Sequence, residues 1–464
     1  MKIVLILVSL LWNIKTTSVF TEDEYPLTYL NMLHIKTSKM AVRRFIFTGD
    51  FSDSLKIQET ERRLRSLGVF REVKVVKRND TAFLLLQDAF TLSAFVDYKF
   101  YNTKKVVTLG IEEDNFIGTL SKVNFYYFKR YDRDYFQGGF SIPAFPVKAV
   151  DLITSFQRGK DLKKDMIMLN PFVSPLMSEY LNFLYIRQKK EEYLYKNGSV
   201  FDTSLVDYRL YSLKAGKAVK KKYTFVPYGA LEYLNTKDTV FKRIGGGVYY
   251  VHLRTLKTRF MRRSLYNDYL SSGIITRLEI YPLLNKNERL SVYFNLKKAS
   301  KKVYFDGTLI YSLSRGSGYM RWKNKLYMRL PWRFTLFAYS DMGIIHDVTT
   351  ALSYENILVF SLGADNGMYA YLPHYFNGRE MALLYAELRC FGPSFKKLAG
   401  FGGALFYALG NAAENIRYLR RSFGFSLRLE AGVLGPSAIY SLNIGFEDLH
   451  TPPLVSFGTT LDFQ

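Results

Sequence analysis

The sequence predicts an all-β transmembrane barrel of about 16 antiparallel strands behind a small N-terminal α+β domain. Three observations predict it. From about residue 104 onward the chain repeats segments of roughly ten residues in which apolar and polar positions alternate, separated by Gly, Asn, Asp and Lys turns, as strands tilted in a bilayer require. The composition is rich in Tyr (36) and Phe (37) and poor in Pro (13), which suits strands. After the opening segment no run of about 18 apolar residues occurs, so no conventional membrane-spanning helix is written there, and a chain that crosses a bilayer without one does so as a closed barrel.

Taken in order, residues 1–20 (MKIVLILVSLLWNIKTTSVF) form an apolar leader: Lys2 followed by Ile3 to Trp12 fits the charged and apolar regions of a signal peptide, without a clean small-x-small cleavage site. A secretory-type signal and an uncleaved leader both fit. Residues 42–90 then change from strand to helix to hairpin. Arg44 to Thr48 is strand-like, and Ser52 or Asp53 can cap a helix by accepting the orphan amide hydrogens of its first turn. Ile57, Leu64 and Leu67 share one helical face, and Gly68 suits the left-handed position that ends the helix. Val73 and Val75 alternate with charged residues, 78–81 is a polar turn, and Phe83 to Leu86 supplies a second strand.

The barrel is expected over 104–464. Leu290, Val292, Phe294 and Leu296 face one way, and Ser291, Tyr293, Asn295 and Lys297 the other. Met320, Trp322, Leu326, Met328 and Leu330 oppose Tyr319, Arg321, Lys323, Lys325, Tyr327 and Arg329. So many basic and polar groups on one face need water, because a buried unpaired charge costs several kcal/mol. A single alternating strand also fits a soluble sandwich with one wet face. Many in succession favour a closed cylinder, which leaves no exposed edge.

The net charge of +24 and the sequence pI of about 9.6 admit nucleic acid, anionic lipid or an acidic polypeptide as partners. The basic residues alternate along strands instead of forming one stripe, so a nucleic-acid partner is not expected. Lys189-Lys190, Lys220-Lys221-Lys222 and Arg420-Arg421 fall near strand ends, where they solvate a rim. One cysteine, Cys390, forbids an intrachain disulfide and a Cys-rich metal site. His34, His252, His346, His374 and His450 are isolated, His346-Asp347 reads as a solvated turn, and Gly400-Phe401-Gly402-Gly403 lacks the spacing of a dinucleotide site. No enzyme, metal or cofactor is expected.

Specific resemblances follow from short stretches. Leu67-Gly68-Val69-Phe70-Arg71-Glu72-Val73-Lys74-Val75 resembles the signature of a POTRA repeat, the polypeptide-transport-associated module of outer-membrane insertases, although 42–90 has room for one clear helix where such modules have two. Ser456-Phe457-Gly458-Thr459-Thr460-Leu461-Asp462-Phe463 resembles the β-signal in the last strand of mitochondrial outer-membrane barrels. Together with Met381 to Arg389, Ala404 to Gly410, Arg421 to Leu429 and Ile439 to Phe446, the ending is similar to the final strands of the BamA superfamily, in particular the barrel subunit of the mitochondrial sorting and assembly machinery. Asn115-Phe116-Ile117-Gly118 resembles that family's turn after the first barrel strand. In the loop that folds into the lumen, the family carries Arg-Gly-aromatic. Here Gly367 matches, Asn366 stands where Arg is expected, and Tyr369 follows; Asn cannot make the two-pronged charged contact of Arg.

The resemblance implies an insertase whose first and last strands separate and template a client strand. It places the first gate strand at Lys105 to Glu113 (Val106, Val107, Leu109, Ile111) and the last at Ser456, Gly458, Leu461 and Phe463. Gly458 either weakens closure or relieves a bend. Implied partners are client β-barrel precursors, the lipid bilayer and accessory subunits. The implied location is the outer membrane of a mitochondrion or a derived organelle, with a bacterial outer membrane as the alternative. A passive porin or polypeptide-transport pore with a basic lumen is the rival function. The phrase Ser-Phe-Gly, written at both 422 and 456, then reflects strands of one barrel sharing one alternation.

Overall fold

The computed structural model describes residues 12–18, 29, 31–32, 34–46, 54–78, 81–89, 91–101, 104–129, 134–145, 150–171, 179–196, 199–220, 224–236, 240–258, 268–282, 288–314, 317–346, 359–372, 374–395, 399–431 and 439–459. The N-terminal unit comprises β1 (Trp12–Thr17), α1 (Lys39–Arg43), α2 (Ser54–Ser66), β2 (Phe70–Arg78) and β3 (Thr81–Asp88). Its sheet runs β1-β3-β2, with β1 parallel and β2 antiparallel to β3. Ile14, Val42, Phe45, Ile46, Leu64, Val73 and Leu84 fill its core. Gly68 ends α2 at φ 73, a conformation glycine adopts without a Cβ clash. The expected caps Ser52 and Asp53 lie outside the described residues.

Two expectations are corrected here. The opening segment does not stand apart as a leader through residue 20: Trp12–Thr17 is a strand of the sheet, with Ile14 and Thr16 buried between exposed Asn13 and Lys15. That alternation is masked in the sequence by the apolar run before it. Of the expected strand Arg44 to Thr48, the described residues Arg44, Phe45 and Ile46 follow α1 as a turn and not a strand, and 47–48 lie outside the described residues. Ser38 accepts from the Met40 amide (3.2 Å) and caps α1, whose Val42 shares the apolar cluster with Phe45 and Ile46 one turn on. The unit thus has two helices and begins well before residue 42.

The barrel strands are β4 (Leu92–Tyr101), β5 (Lys104–Phe116), β6 (Ser121–Lys129), β7 (Asp134–Ile142), β8 (Val150–Gly159), β9 (Leu162–Pro171), β10 (Glu179–Lys196), β11 (Ser199–Lys217), β12 (Val219–Lys220), β13 (Thr224–Thr236), β14 (Val240–Thr258), β15 (Asp268–Tyr281), β16 (Arg289–Ala299), β17 (Val303–Ser314), β18 (Ser317–Arg329) and β19 (Phe334–Ile345). After a hairpin of β20 (Phe360–Leu362) and β21 (Phe376–Gly378) come β22 (Glu380–Phe395), β23 (Ala399–Ala413), β24 (Arg420–Ala431), β25 (Ile439–Phe446) and β26 (Leu454–Thr459). With β11 and β12 as one strand broken at Ala218, 20 antiparallel strands close the barrel among the described residues. The count exceeds the expected 16 or so, and the barrel starts at Leu92, not 104. Only residues 89–91 separate β3 from β4, so the sequence there runs from one domain into the other without a linker.

The wall is two-sided throughout. Leu405 and Leu427 are 63% and 57% exposed on the outside, whereas their neighbours Phe406 and Ser426 point inward at 4% and 2%. Leu290, Phe294, Leu296, Met320 and Trp322 are likewise exposed while Arg289, Ser291, Asn295 and Tyr319 are buried. An apolar outer surface of this extent requires hydrocarbon as its solvent. Inside, carboxylates are held by cations. Asp341 takes two hydrogen bonds from Arg321 (2.9 and 2.8 Å), Glu232 bridges Arg243 and Arg289, Glu279 meets Lys214, and Glu387 meets Arg389 and Arg428. Each pairing offsets the desolvation that burial imposes on the other partner.

The N-terminal unit is docked on one end of the barrel, here called proximal. The β5–β6 turn carries the contact: Asn115 donates to Thr37 Oγ1 (2.8 Å), Asn115 Oδ1 accepts from the Leu120 amide (2.9 Å), and Ser38 N donates to the Gly118 carbonyl (2.9 Å). Leu120 and Ala144, from two proximal turns, complete the apolar core of the unit. Arg63 stacks on Phe45 (4.9 Å to the ring centroid) and lies 4.0 Å from Asp151. Burial pushes its guanidinium down to about 10, with Asp151 and Glu59 opposing the shift.

Candidate functional site: the barrel seam

Closure depends on β26 meeting β4, and this is where pairing is least. Among the described residues the register between them holds two pairs, Ser456 with Lys99 and Phe457 with Tyr98. Against its other neighbour, β25, the same strand makes six pairs, and β4 makes ten with β5. Gly458 and Thr459 pair with Ser441 and Tyr440 of β25 and, among the described residues, have no register partner in β4. The paired end is distal, away from the N-terminal unit.

Near the proximal end a side chain spans the gap. Tyr440 of β25 lays its ring over the outer face of β26, stacked on Phe457 (6.3 Å, 9°), and its hydroxyl donates to the Ala94 carbonyl of β4 (3.1 Å). A hydroxyl on a hydrocarbon-facing wall needs such a partner, since no water offers an alternative. On the inner face Asn443 donates to Ser456 Oγ (3.4 Å).

The loop between β19 and β22 lies across the seam from inside. Between β20 and β21, which pair as a hairpin, the chain makes a 3-10 turn (Ala364–Asn366), and Gly367 reverses it at φ 94. Val106 of β5 packs with Ala364, Tyr369, Leu372 and Leu454 of β26, so one apolar cluster joins the loop to strands on both sides of β4. Tyr369 meets Phe406 edge-on (4.9 Å), and the Ala370 amide donates to Ser422 Oγ (3.0 Å). At Gly445 of β25 an added Cβ would lie 2.5 Å from the Tyr369 carbonyl carbon, so only glycine lets the loop backbone come this close.

The structure places the expected residues as follows. Lys105–Glu113 is within the second barrel strand, one strand away from the closing contact, because β4 precedes it; Leu92–Tyr101 holds the seam. Of the four residues chosen there, Val106 points inward to the loop, while Val107, Leu109 and Ile111 lie on the outer face. Ser456 is on the seam, and Gly458 is on the last strand just beyond the paired positions. Leu461 and Phe463 lie outside the described residues. Asn366 closes the 3-10 turn through its backbone amide (3.0 Å to Gly363 O), and Gly367 and Tyr369 shape and anchor the loop. The interior carboxylate Glu387, close to Tyr385, is taken by Arg389 and Arg428 from the strands themselves, so the loop is held by Tyr369 and backbone contacts in place of the expected arginine. Tyr98, Lys99, Ala94 and Tyr440 belong to no motif of the sequence; the available signal is an outward tyrosine within the alternation of IYSLNIGF, a polar tip that lipid leaves unsatisfied.

Among the solved structures similar to this chain are one of BamA and two of CdiB. BamA from Haemophilus ducreyi lacking POTRA domains 1–3 aligns with TM-score 0.38 and 11% identity over 97% of this chain and 84% of that one. CdiB from Escherichia coli aligns with TM-score 0.45 and 9% identity over 96% and 73%, and CdiB from Acinetobacter baumannii with 0.43 and 11% over 97% and 73%. No family model matches the chain, and no curated protein matches it in sequence. Likeness this loose assigns neither fold nor activity; the barrel stands on the strand pairing of this chain.

Proposed function

We propose that the chain is an integral outer-membrane protein that folds and inserts client β-barrel precursors by opening its seam and offering the freed strand edges as templates. The observation that carries this is that, among the described residues, β26 and β4 close through two register pairs in a barrel whose other strands are joined along most of their length. Parting two register pairs exposes edges able to hydrogen-bond an incoming strand, the mode by which extended peptides add to a sheet. Elsewhere the strands are bound too extensively to part.

The lumen loop supports the same reading. It touches β5, β23, β24, β25 and β26, so a change in seam width alters its packing. The order strand, helix, helix, strand, strand in the N-terminal unit supports a POTRA module, which would receive clients or accessory subunits. The resemblance of the last strand to a mitochondrial β-signal favours a mitochondrial outer membrane over a bacterial one. No catalytic step belongs to this function. A passive pore is the less favoured reading, because a thinly paired seam bridged from inside by a loop serves no purpose in a channel that stays shut at its wall.

Reconstitution tests the proposal. Vesicles containing the protein should accelerate insertion of a urea-unfolded β-barrel client several-fold over empty vesicles, read as protease-protected, heat-modifiable client. Steady ion conductance without any acceleration would identify a pore instead. Imaging of a tagged chain, with alkaline carbonate extraction, tests the membrane assignment.

A further inference from the structure

The proximal rim carries a patch that the seam does not use. Two neighbouring hairpin turns there, 300–302 between β16 and β17 and 330–333 between β18 and β19, are joined by the Arg329 amide donating to the Lys302 carbonyl (2.7 Å). Lys298, Lys301, Lys302, Arg329 and Arg333 are all exposed on them, and Arg333 also reaches the Gly392 carbonyl at the same end of β22 (3.4 Å). No Asp or Glu occurs in 298–303 or 328–334, nor in 390–400, the sequence that follows Arg389. The distal connections of the same part of the barrel mix Glu288, Glu414, Glu447 and Asp448 with Lys286, Arg315 and Arg417. The excess of basic over acidic residues is therefore one-sided.

Trp332 stands in the middle of this patch, 90% exposed. Trp332 and Arg333 both adopt left-handed backbone (φ 59 and 65), a turn geometry that Asn-Gly takes more readily. The strain keeps an indole beside a guanidinium at the rim. The patch also marks where the apolar wall ends. On β16 the outward face runs Leu290, Val292, Phe294, Leu296 and then Lys298; on β18 it runs Met320, Trp322, Leu326 and Met328 toward Leu330 and Trp332. A lysine or tryptophan at that boundary lays its apolar body on hydrocarbon and its polar end among headgroups.

We propose that this rim binds the headgroups of anionic phospholipids, with Trp332 at the interface and Lys298, Lys301, Lys302 and Arg333 supplying the charge. The inference rests on the barrel spanning a bilayer and is independent of the seam. It implies that the leaflet on the side of the N-terminal unit is enriched locally in acidic lipid.

Two single-tryptophan forms of the full chain test it: Trp12→Phe with Trp322→Phe keeps Trp332 at the rim, and Trp12→Phe with Trp332→Phe keeps Trp322 on the wall. Each is reconstituted in mixtures of phosphatidylcholine and phosphatidylglycerol, with bromine on the chains of one lipid or the other. Trp332 should be quenched with a preference for phosphatidylglycerol of roughly threefold, and Trp322 with none. The preference should fall to parity in Lys298→Gln/Lys301→Gln/Lys302→Gln/Arg333→Gln, checked for folding by heat-modifiable migration, and should weaken in high salt without any rim substitution. Equal quenching of Trp332 by both lipids overturns the proposal. Trp332 that ignores brominated lipid but is shielded by added polyglutamate overturns it in favour of an acidic protein partner. An unquenched Trp322 refutes the membrane-spanning barrel instead.

Discussion

The Tyr440 hydroxyl donates to the Ala94 carbonyl across the width of β26, on a face where no water competes for either group. Tyr440→Phe keeps the ring stacked on Phe457 and deletes only that bond. A single hydrogen bond contributes about 0.5–1.5 kcal/mol net, so hydrogen exchange of the β4 amides near the seam should quicken roughly 2- to 12-fold while β13–β18 stay unchanged. Uniform acceleration around the barrel would mean that the residue supports the fold and not the seam. Gly118 is constrained differently: it sits at φ 69, and an added Cβ would lie 2.5 Å from the Lys36 carbonyl. Gly118→Ala should loosen the N-terminal unit by about 1–3 kcal/mol, read as faster proteolysis of that unit with the barrel intact. Glu387→Gln leaves Arg389, which is stacked on Phe337 at 4.5 Å, and Arg428 without their carboxylate. Its expected cost is about 3–5 kcal/mol, seen as a lower temperature for loss of heat-modifiable migration.

At the scale of elements the lumen loop and the first strand decide the site. Tyr369→Ala removes the ring on Phe406 and one member of the cluster with Val106 and Leu454. The loop should then leave the wall, read as severalfold faster proteolysis of 360–372 with the barrel intact; unchanged proteolysis would show that the loop is held elsewhere. The strands themselves were legible because alternation is physical: Leu290 to Leu296 and Met320 to Leu330 sort inside from outside by solvent alone. The two copies of Ser-Phe-Gly behave alike for the same reason, with Ser422 and Ser456 buried on the inner face and Phe423 and Phe457 at the alternate, outer positions. One serine holds the loop and the other lies on the seam. Position along the barrel was less legible. β4 follows β3 after three residues, so its alternation reads as part of the N-terminal unit, and the sequence pattern puts the seam one strand too late. β1 was hidden by the apolar stretch before it, and α1 by apolar residues that a strand and one helical turn place equally well. The Tyr440 contact joins residues 346 apart in sequence, a distance no local pattern reports.

For the molecule as a whole, the barrel has three regions of distinct character. Its seam is thinly paired, its far wall is laced with strand-long ladders such as the 18-pair β10–β11 contact, and its proximal rim is basic. A machine that opens laterally needs such unevenness, since a barrel paired equally all round has no preferred place to part. The central claim is that β4 and β26 separate during work. Lys99 and Ser456 face each other across the seam, so Lys99→Cys with Ser456→Cys, in a Cys390→Ser background, allows one disulfide to lock it. Measured as client insertion into reconstituted vesicles, activity should vanish in the oxidised protein and return on reduction. Full activity with the disulfide in place would contradict lateral opening at this seam.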